Sequence, residues 1–296
     1  NTLPTRLIDV LTQRATERPQ DPVIYSGHRT YNYSDLVSGV EKMKSVLTDA
    51  GVGAGDRVLL IMENGFTGIG LFYAITALDA WAVLANERIS QREIEVMVER
   101  AKPRLIVCAA GDKPEMHNLV PPQSVRQEDP AYGVFAIGGQ NTSGEPEPLP
   151  ARTDEQVAVL IFTSGTTGVP KAAMLGHKAL IYQNAIVSSR RGFSPGDCPY
   201  LVAPFVHVLG FTGIFLPVVY GGGAVEVATR FDAAFAIEGI KRHRLTHIYG
   251  APPMISALVD QVRHSLEEID FSSLKEIFGG GAPVDQELCD RVEEVF

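Results

Sequence analysis

The sequence predicts an α/β protein of largely parallel sheets with flanking helices. Apolar runs of strand length, Arg57–Met62, RLIVCAA (104–110), Val157–Phe162 and Thr246–Tyr249, alternate with longer stretches of helical periodicity, which is the pattern of βαβ units. Clusters of Gly and Pro punctuate the alternation. A length of 296 residues with 45% hydrophobic content can bury a sizeable core and favours two domains or subdomains.

The elements follow in order. A first helix is expected from a Thr5 cap to just before Pro19, with Leu7, Val10, Leu11 and Ala15 on one face. VIYSGHRTYNY reads as a hairpin. A second helix starts near Ser34, spaces Leu36, Val40, Met43 and Leu47 helically, and ends at Gly51, Gly53 and Gly55. The strand Arg57–Met62 comes next, then a helix over Phe66–Ala80 and a short strand at Ala82–Leu84. Ser90-Gln91-Arg92-Glu93 is a capping box opening a helix that stops at Pro103. After RLIVCAA, residues 111–155 lose periodicity and gain Pro, Gly, Glu and Asn, as a connector or surface loop would.

Beyond it lie the strand Val157–Phe162, a Ser/Thr/Gly-rich loop and a helix from about His177. His177 and Lys178 are expected as surface or capping groups. A strand near Leu201, a buried helix, the strand Ala224–Val227 and a helix over Phe231–His243 precede Thr246–Tyr249. The helix Pro253–Val262, the strand Leu274–Phe278, a Gly-rich loop and the start of a helix complete the pattern. The division is drawn at residues 1–178 and 179–296. The chain stops at Phe296 inside an amphipathic pattern with no C-cap signal, so a fragment of a longer polypeptide is expected.

A net charge of −9 argues against nucleic-acid binding, which needs a clustered basic face. Cys108, Cys198 and Cys289 form no CxxC pair, so neither a disulfide framework nor a zinc site is expected, and a reducing, cytoplasmic location is the default. The weakly charged stretches Phe66–Asn86 and Tyr200–Val225 read as buried core and not as a membrane span, the second because Pro and Gly interrupt it.

One loop carries chemistry. Thr163, Ser164, Gly165, Thr166, Thr167 and Gly168 follow a strand and bring hydroxyls and permissive backbone to one place, with Lys171 just beyond. That combination suits phosphate oxygens, although composition alone fits a polar surface turn as well. It is not the P-loop G-x-x-x-x-G-K-[ST]: Val169-Pro170 follow Gly168, and Ala172 stands where Ser or Thr would hold Mg2+. Gly279 to Pro283 form a second strand-to-helix turn, and His207 is a lone histidine in an apolar stretch.

TSGTTGVPK resembles the signature of the adenylate-forming superfamily: acyl-CoA synthetases, adenylation domains of peptide synthetases and luciferases. Weaker similarities follow in the family's order at RTYNYSDL (29–36), ALDAWAVLANERIS (77–90), VAPFVHVLGF (202–211), THIYGAPPM (246–254) and FGGGAPV (278–284). Ala172 departs from the usual Gly, as in some aryl-CoA ligases, and Glu87 from the usual Pro.

The resemblance implies the layered αβαβα N-terminal domain of such an enzyme, truncated before the C-terminal lid domain. It implies an acid:CoA ligase that turns a carboxylic acid, ATP and CoA into a thioester through an acyl-adenylate, with Mg2+ required and no metal ligand within these residues. Thr163, Ser164, Gly165, Thr166, Thr167, Gly168 and Lys171 would gather the ATP phosphates. Gly280, Gly281, Ala282 and Pro283 would face adenine, and His207, Val208, Phe211, Tyr249 and Gly279 would line the acyl pocket. Lys171 and His207 would carry the catalytic roles.

In amino-acid-activating relatives an acid near this point pairs with the substrate ammonium; Val206-His207-Val208-Leu209 lacks one, which disfavours an α-amino acid. The similarity of Pro170-Lys171-Ala172-Ala173 and of the His207–Phe211 segment to acyl and aryl ligases implies an aromatic or medium-chain acid. A homodimer is compatible with this reading. An enzyme that loads a carrier protein, and a nucleotide-binding relative without catalysis, are the alternatives. The residues after Phe296 would hold the family's Mg2+-binding Glu and distal Lys, so these 296 residues alone are expected to show little adenylation.

Overall fold

The computed structural model of the chain describes residues 3–109, 119, 123–139, 141, 144–152, 155–163 and 171–296. Helix α1 (Leu7–Glu17) buries Leu7, Val10 and Leu11. Its cap is Arg6, whose N–H donates to Asp9 at 2.9 Å, while Thr5 only adds a hydroxyl bond to the same carboxylate. The hairpin of β1 (Pro22–Ser26) and β2 (Arg29–Asn32) turns through Gly27 at φ +61. Asn32 caps α2 (Tyr33–Asp49) by accepting from Asp35 N–H at 2.7 Å. Strand β3 (Arg57–Met62) is buried at every position, as a parallel strand covered on both faces should be.

Helix α3 (Phe66–Ala77) is apolar all round and buried from Ile69 through Thr76, so the stretch that could suggest a membrane span is a core helix of 12 residues. Among the described residues no helix is long and apolar enough to cross a membrane. Strand β4 (Trp81–Asn86) precedes α4 (Gln91–Ala101), which opens on the expected Ser90/Glu93 capping box. Strand β5 (Leu105–Ala109) follows.

Two expectations need correction. Residues 111–155 include β6 (Val125–Asp129) and β7 (Gly133–Gly138), an antiparallel pair that extends the sheet from β5. Gly133 at φ +84 serves the turn, and Phe135 and Ile137 alternate into the core. After β8 (Val157–Thr163), the next described element is the strand β9 (Lys171–Gly176) and not the helix at His177. This strand pairs antiparallel with β8 and opposes Lys171 to Thr163. Its Lys-Ala-Ala-Met start has little β-propensity, so pairing with β8 must make the strand.

The remaining elements are α5 (His177–Arg191), β10 (Pro199–Leu201), a π-helical segment Leu209–Phe215 and α6 (Leu216–Gly221). Then come β11 (Val225–Val227), α7 (Ala233–His243), β12 (His247–Gly250), α8 (Pro252–Arg263), β13 (Glu276–Gly279) and α9 (Gln286–Glu293).

The strands build a seven-stranded sheet in the order β6-β7-β5-β3-β4-β8-β9, parallel inside with antiparallel pairing at both ends, and a six-stranded sheet in the order β13-β12-β10-β11-β1-β2, parallel except for the antiparallel β1–β2 hairpin at one end. One apolar cluster joins α1, α2 and α3 to Leu60 of the first sheet and to Ile24, Leu201 and Val225 of the second. The outer face of the first sheet packs on α4, and that of the second on α7 and α8. The layers are αβαβα, as the resemblance implied. The first hairpin pairs with β11, so residues drawn with 1–178 supply two strands of the sheet otherwise built by 179–296.

His177 is fully buried, contrary to the expected surface group. Its Nδ1 accepts from Leu7 N–H at 3.2 Å, and Nε2 has no hydrogen-bond partner among the described residues. Burial first, and the Arg6 cation second, hold the imidazole down to about 4. The unfolded chain takes up this proton near pH 6.5 and the folded chain does not. The stability due to the neutral ring is therefore present above pH 6.5 and lost as pH falls to about 4, on the order of 3 kcal/mol. Urea titrations at pH 7 and pH 4.5 are expected to show a smaller acid-induced loss for His177→Gln than for the natural chain; equal losses would refute this.

Candidate functional site

The segments singled out from the sequence leave the carboxyl ends of parallel strands. Thr163 ends β8, His207 follows β10, Tyr249 and Gly250 end β12, and Gly279 ends β13. In open α/β sheets that rim is where ligands sit. Ser164, Gly165, Thr166, Thr167 and Gly168 lie outside the described residues. The strands that enter and leave this loop are described, and Lys171 stands exposed opposite Thr163 at its mouth.

His207 lies on a tight turn in which its N–H donates to Pro204 O at 3.0 Å. The chain then doubles back so closely that a Cβ on Gly210 would meet Pro204 O at 2.3 Å and Ala203 O at 2.7 Å. Only glycine fits there. His207 is exposed, and so is Val208 at 60%. The π-helical segment begins two residues after His207, and such segments recur at functional positions.

Phe211 packs into the core among the described residues. It is fully buried, with ring centroids 5.1 Å from Phe72 and 5.2 Å from Phe205, and Phe205 reaches Phe215 at 5.4 Å. These edge-to-face contacts make Phe211 a packing residue; apolar type alone could not separate wall from core.

Tyr249 is also buried, on a face it shares with Phe278. Its hydroxyl donates to Glu276 Oε2 at 2.9 Å, and the Arg191 guanidinium lies 4.7 Å from the ring centre while pairing with the same carboxylate at 2.6 Å. Burial, opposed by the Arg191 charge, raises the phenol above its ordinary pKa, so the hydroxyl stays a donor. Arg191, at the end of α5, carries no local sequence signal, because its stacking on Tyr249 and its pairing with Glu276 join residues far apart in the chain.

The two glycine-bearing strand ends meet in register, Gly250 against Gly279, and Gly280 N–H donates to Gly250 O at 3.1 Å. Gly281 takes φ +81, and Ala282 and Pro283 are exposed beyond it. Gly279 borders an open cleft of about 390 Å³ walled by Ile255, Ile277, Val284, Leu288 and Val292. His207, Val208 and Tyr249 do not line that cleft.

Asn64 escaped the sequence reading. Two residues past β3, its buried amide spans to the other sheet: Nδ2 donates to Leu201 O, Ala203 O and Ala228 O at 3.0–3.1 Å, and Oδ1 accepts from Phe205 N–H at 2.7 Å. Glu-Asn-Gly reads as an ordinary turn, so nothing local points to this clamp. Among the described residues no group of three His, Cys, Asp or Glu side chains is placed to hold a metal ion.

Residues 11–296 match the family model described as AMP-binding enzyme. A 4-coumarate–CoA ligase of Oryza sativa subsp. japonica is 27% identical over 309 residues, covering 94% of this chain and 53% of the relative. A 4-chlorobenzoate–CoA ligase of Arthrobacter sp. is 27% identical over 275 residues, covering 91% and 51%. The chain thus spans about half the length of the curated relatives it matches. The N-terminal domain of FACL13 from Mycobacterium tuberculosis superposes with a TM-score of 0.79 at 22% identity, over 98% of this chain and 73% of that one. O-succinylbenzoate coenzyme A synthetase from Bacillus subtilis, solved with AMP, superposes at 0.77 and 22% identity, over 97% and 56%.

Proposed function

As the chain belongs to the AMP-binding enzyme family, we propose that it is the part of an acid:CoA ligase that binds ATP and a carboxylic acid and joins them as an acyl-adenylate. The observation that carries this reading is the family match across 11–296, since the relatives that cover the same residues are named as CoA ligases of aromatic acids. An aromatic acid is the substrate class proposed here. The segment 202–211 contains no acidic side chain to neutralise a substrate ammonium, which disfavours an amino acid.

In this reading the carboxylate attacks the α-phosphorus of ATP in line, the acyl–O–P bond forms, and pyrophosphate departs. The 163–168 loop and Lys171 meet the charge that grows on the leaving phosphates. His207 orients the carboxylate and removes no proton, because a carboxylic acid is ionised at neutral pH. The loop at Gly280, Gly281, Ala282 and Pro283 offers small residues and backbone to a flat base. Mg2+ bound with the triphosphate supplies further charge neutralisation. CoA is the proposed acceptor, its thiolate sulfur displacing AMP from the acyl carbon.

The test is exchange of labelled pyrophosphate into ATP by the whole enzyme, run against aromatic and medium-chain acids, followed by CoA consumption. Exchange that depends on an aromatic acid and then yields its CoA thioester is expected. ATP binding with no acid-dependent exchange would refute the proposal.

A further inference from the structure

We infer that Asn64 is a positioning residue for the carboxylate end of the site, holding the turn that presents His207. This inference rests on the proposed function, because it takes His207 to meet the acid.

The geometry singles out one side chain that ties the carboxyl ends of three strands across two sheets. Asn64 stands after β3 of the seven-stranded sheet, and its partners lie at the end of β10 (Leu201) and just after β10 and β11 of the six-stranded one. Its amide hydrogens serve Leu201 O, Ala203 O and Ala228 O, and its oxygen takes Phe205 N–H at 2.7 Å. The 201–205 strap is therefore held by both its carbonyls and an amide. Asp could accept from Phe205 but not donate, Leu could do neither, and Gln would carry the amide a methylene too far.

The strap continues directly into the His207 turn. His207 N–H returns to Pro204 O, and His207 O accepts from Phe211 N–H at 2.9 Å. Downstream, Phe205 and Phe211 lock against Phe72. His207 is thus an exposed ring on backbone fixed from one side by Asn64 and from the other by the aromatic cluster. Such support keeps a binding group in productive geometry without touching the ligand. Without Asn64, Phe205 N–H and the carbonyls of Ala203 and Ala228 lose the amide that serves them, while Leu201 O keeps the Ala228 N–H at 3.1 Å, and the aromatic anchor is left to fix the turn.

In the whole enzyme, Asn64→Ala is expected to raise the KM for the acid about tenfold in pyrophosphate exchange and to move the KM for ATP less than about twofold. On a His207→Ala background the same change should add little, because the effect passes through His207. Should Asn64→Ala not fold, Asn64→Asp, which keeps an acceptor for Phe205 N–H and loses the three donated bonds, carries the same comparison. Additive effects, equal losses for both substrates, or failure of both variants to fold would each reduce Asn64 to a stability residue and overturn the inference. Absence of acid-dependent exchange in the natural enzyme would strike the proposed function instead. Deuterium uptake would then decide Asn64 by itself: faster uptake confined to 201–208 upholds the clamp, and unchanged uptake overturns it.

Discussion

Lys171→Ala in the whole enzyme is expected to slow acid-dependent pyrophosphate exchange about 10²–10³-fold, the usual cost of removing one donor aimed at developing charge. The expectation follows from register. Lys171 opposes Thr163 across the β8–β9 pair, so it is the first residue of the strand that follows the Ser/Thr/Gly loop. The chain carries a net charge of −9, and a local cation is what a triphosphate must find in such a background. The KM for the acid should move far less than kcat, since the proposed role concerns the departing pyrophosphate. An unchanged exchange rate would remove Lys171 from the machinery.

Phe211→Ala is expected to cost about 3–5 kcal/mol of stability, the range for truncating a fully buried aromatic. Its ring meets Phe72 and Phe205 edge to face, and the collapse needed to fill the void is opposed by the tight return at Gly210. Urea unfolding of the variant measures this directly. A variant that kept its stability while changing its preference among acids would restore Phe211 to the pocket wall that its sequence position suggests.

The contrast between Phe211 and Lys171 marks how far the sequence could be read. Parallel strands such as β3 and β8, and helices with caps such as Ser90/Glu93, are legible because an apolar run and a cap motif are written in contiguous residues, although the strands' hydrogen bonds are long-range. The βαβ alternation then leaves few topologies. Three strands escaped because the fold and not their own pattern makes them: β9 is made by its antiparallel pairing with β8, and β6 and β7 by pairing with each other and with β5.

At the candidate site, the glycine turn and the Ser/Thr/Gly loop stand out in the sequence because their proposed roles call for those residue types contiguously. Asn64, Arg191 and His177 are not visible, since each acts on partners far away in sequence: Asn64 on Leu201, Arg191 on Glu276 and His177 on Leu7. Polar residues that work at long range look like surface residues until the fold supplies their partners.

The pairing of the first hairpin with β11 also governs when the molecule can fold. Ile24 finds its parallel partner at Val225, so about two hundred residues must leave the ribosome before that edge of the sheet can close. At synthesis rates of about 5–20 residues per second, Val23 and Ile24 wait roughly 10–40 s for their sheet. During that interval the hairpin has no β11 to pair with, and its buried face waits uncovered.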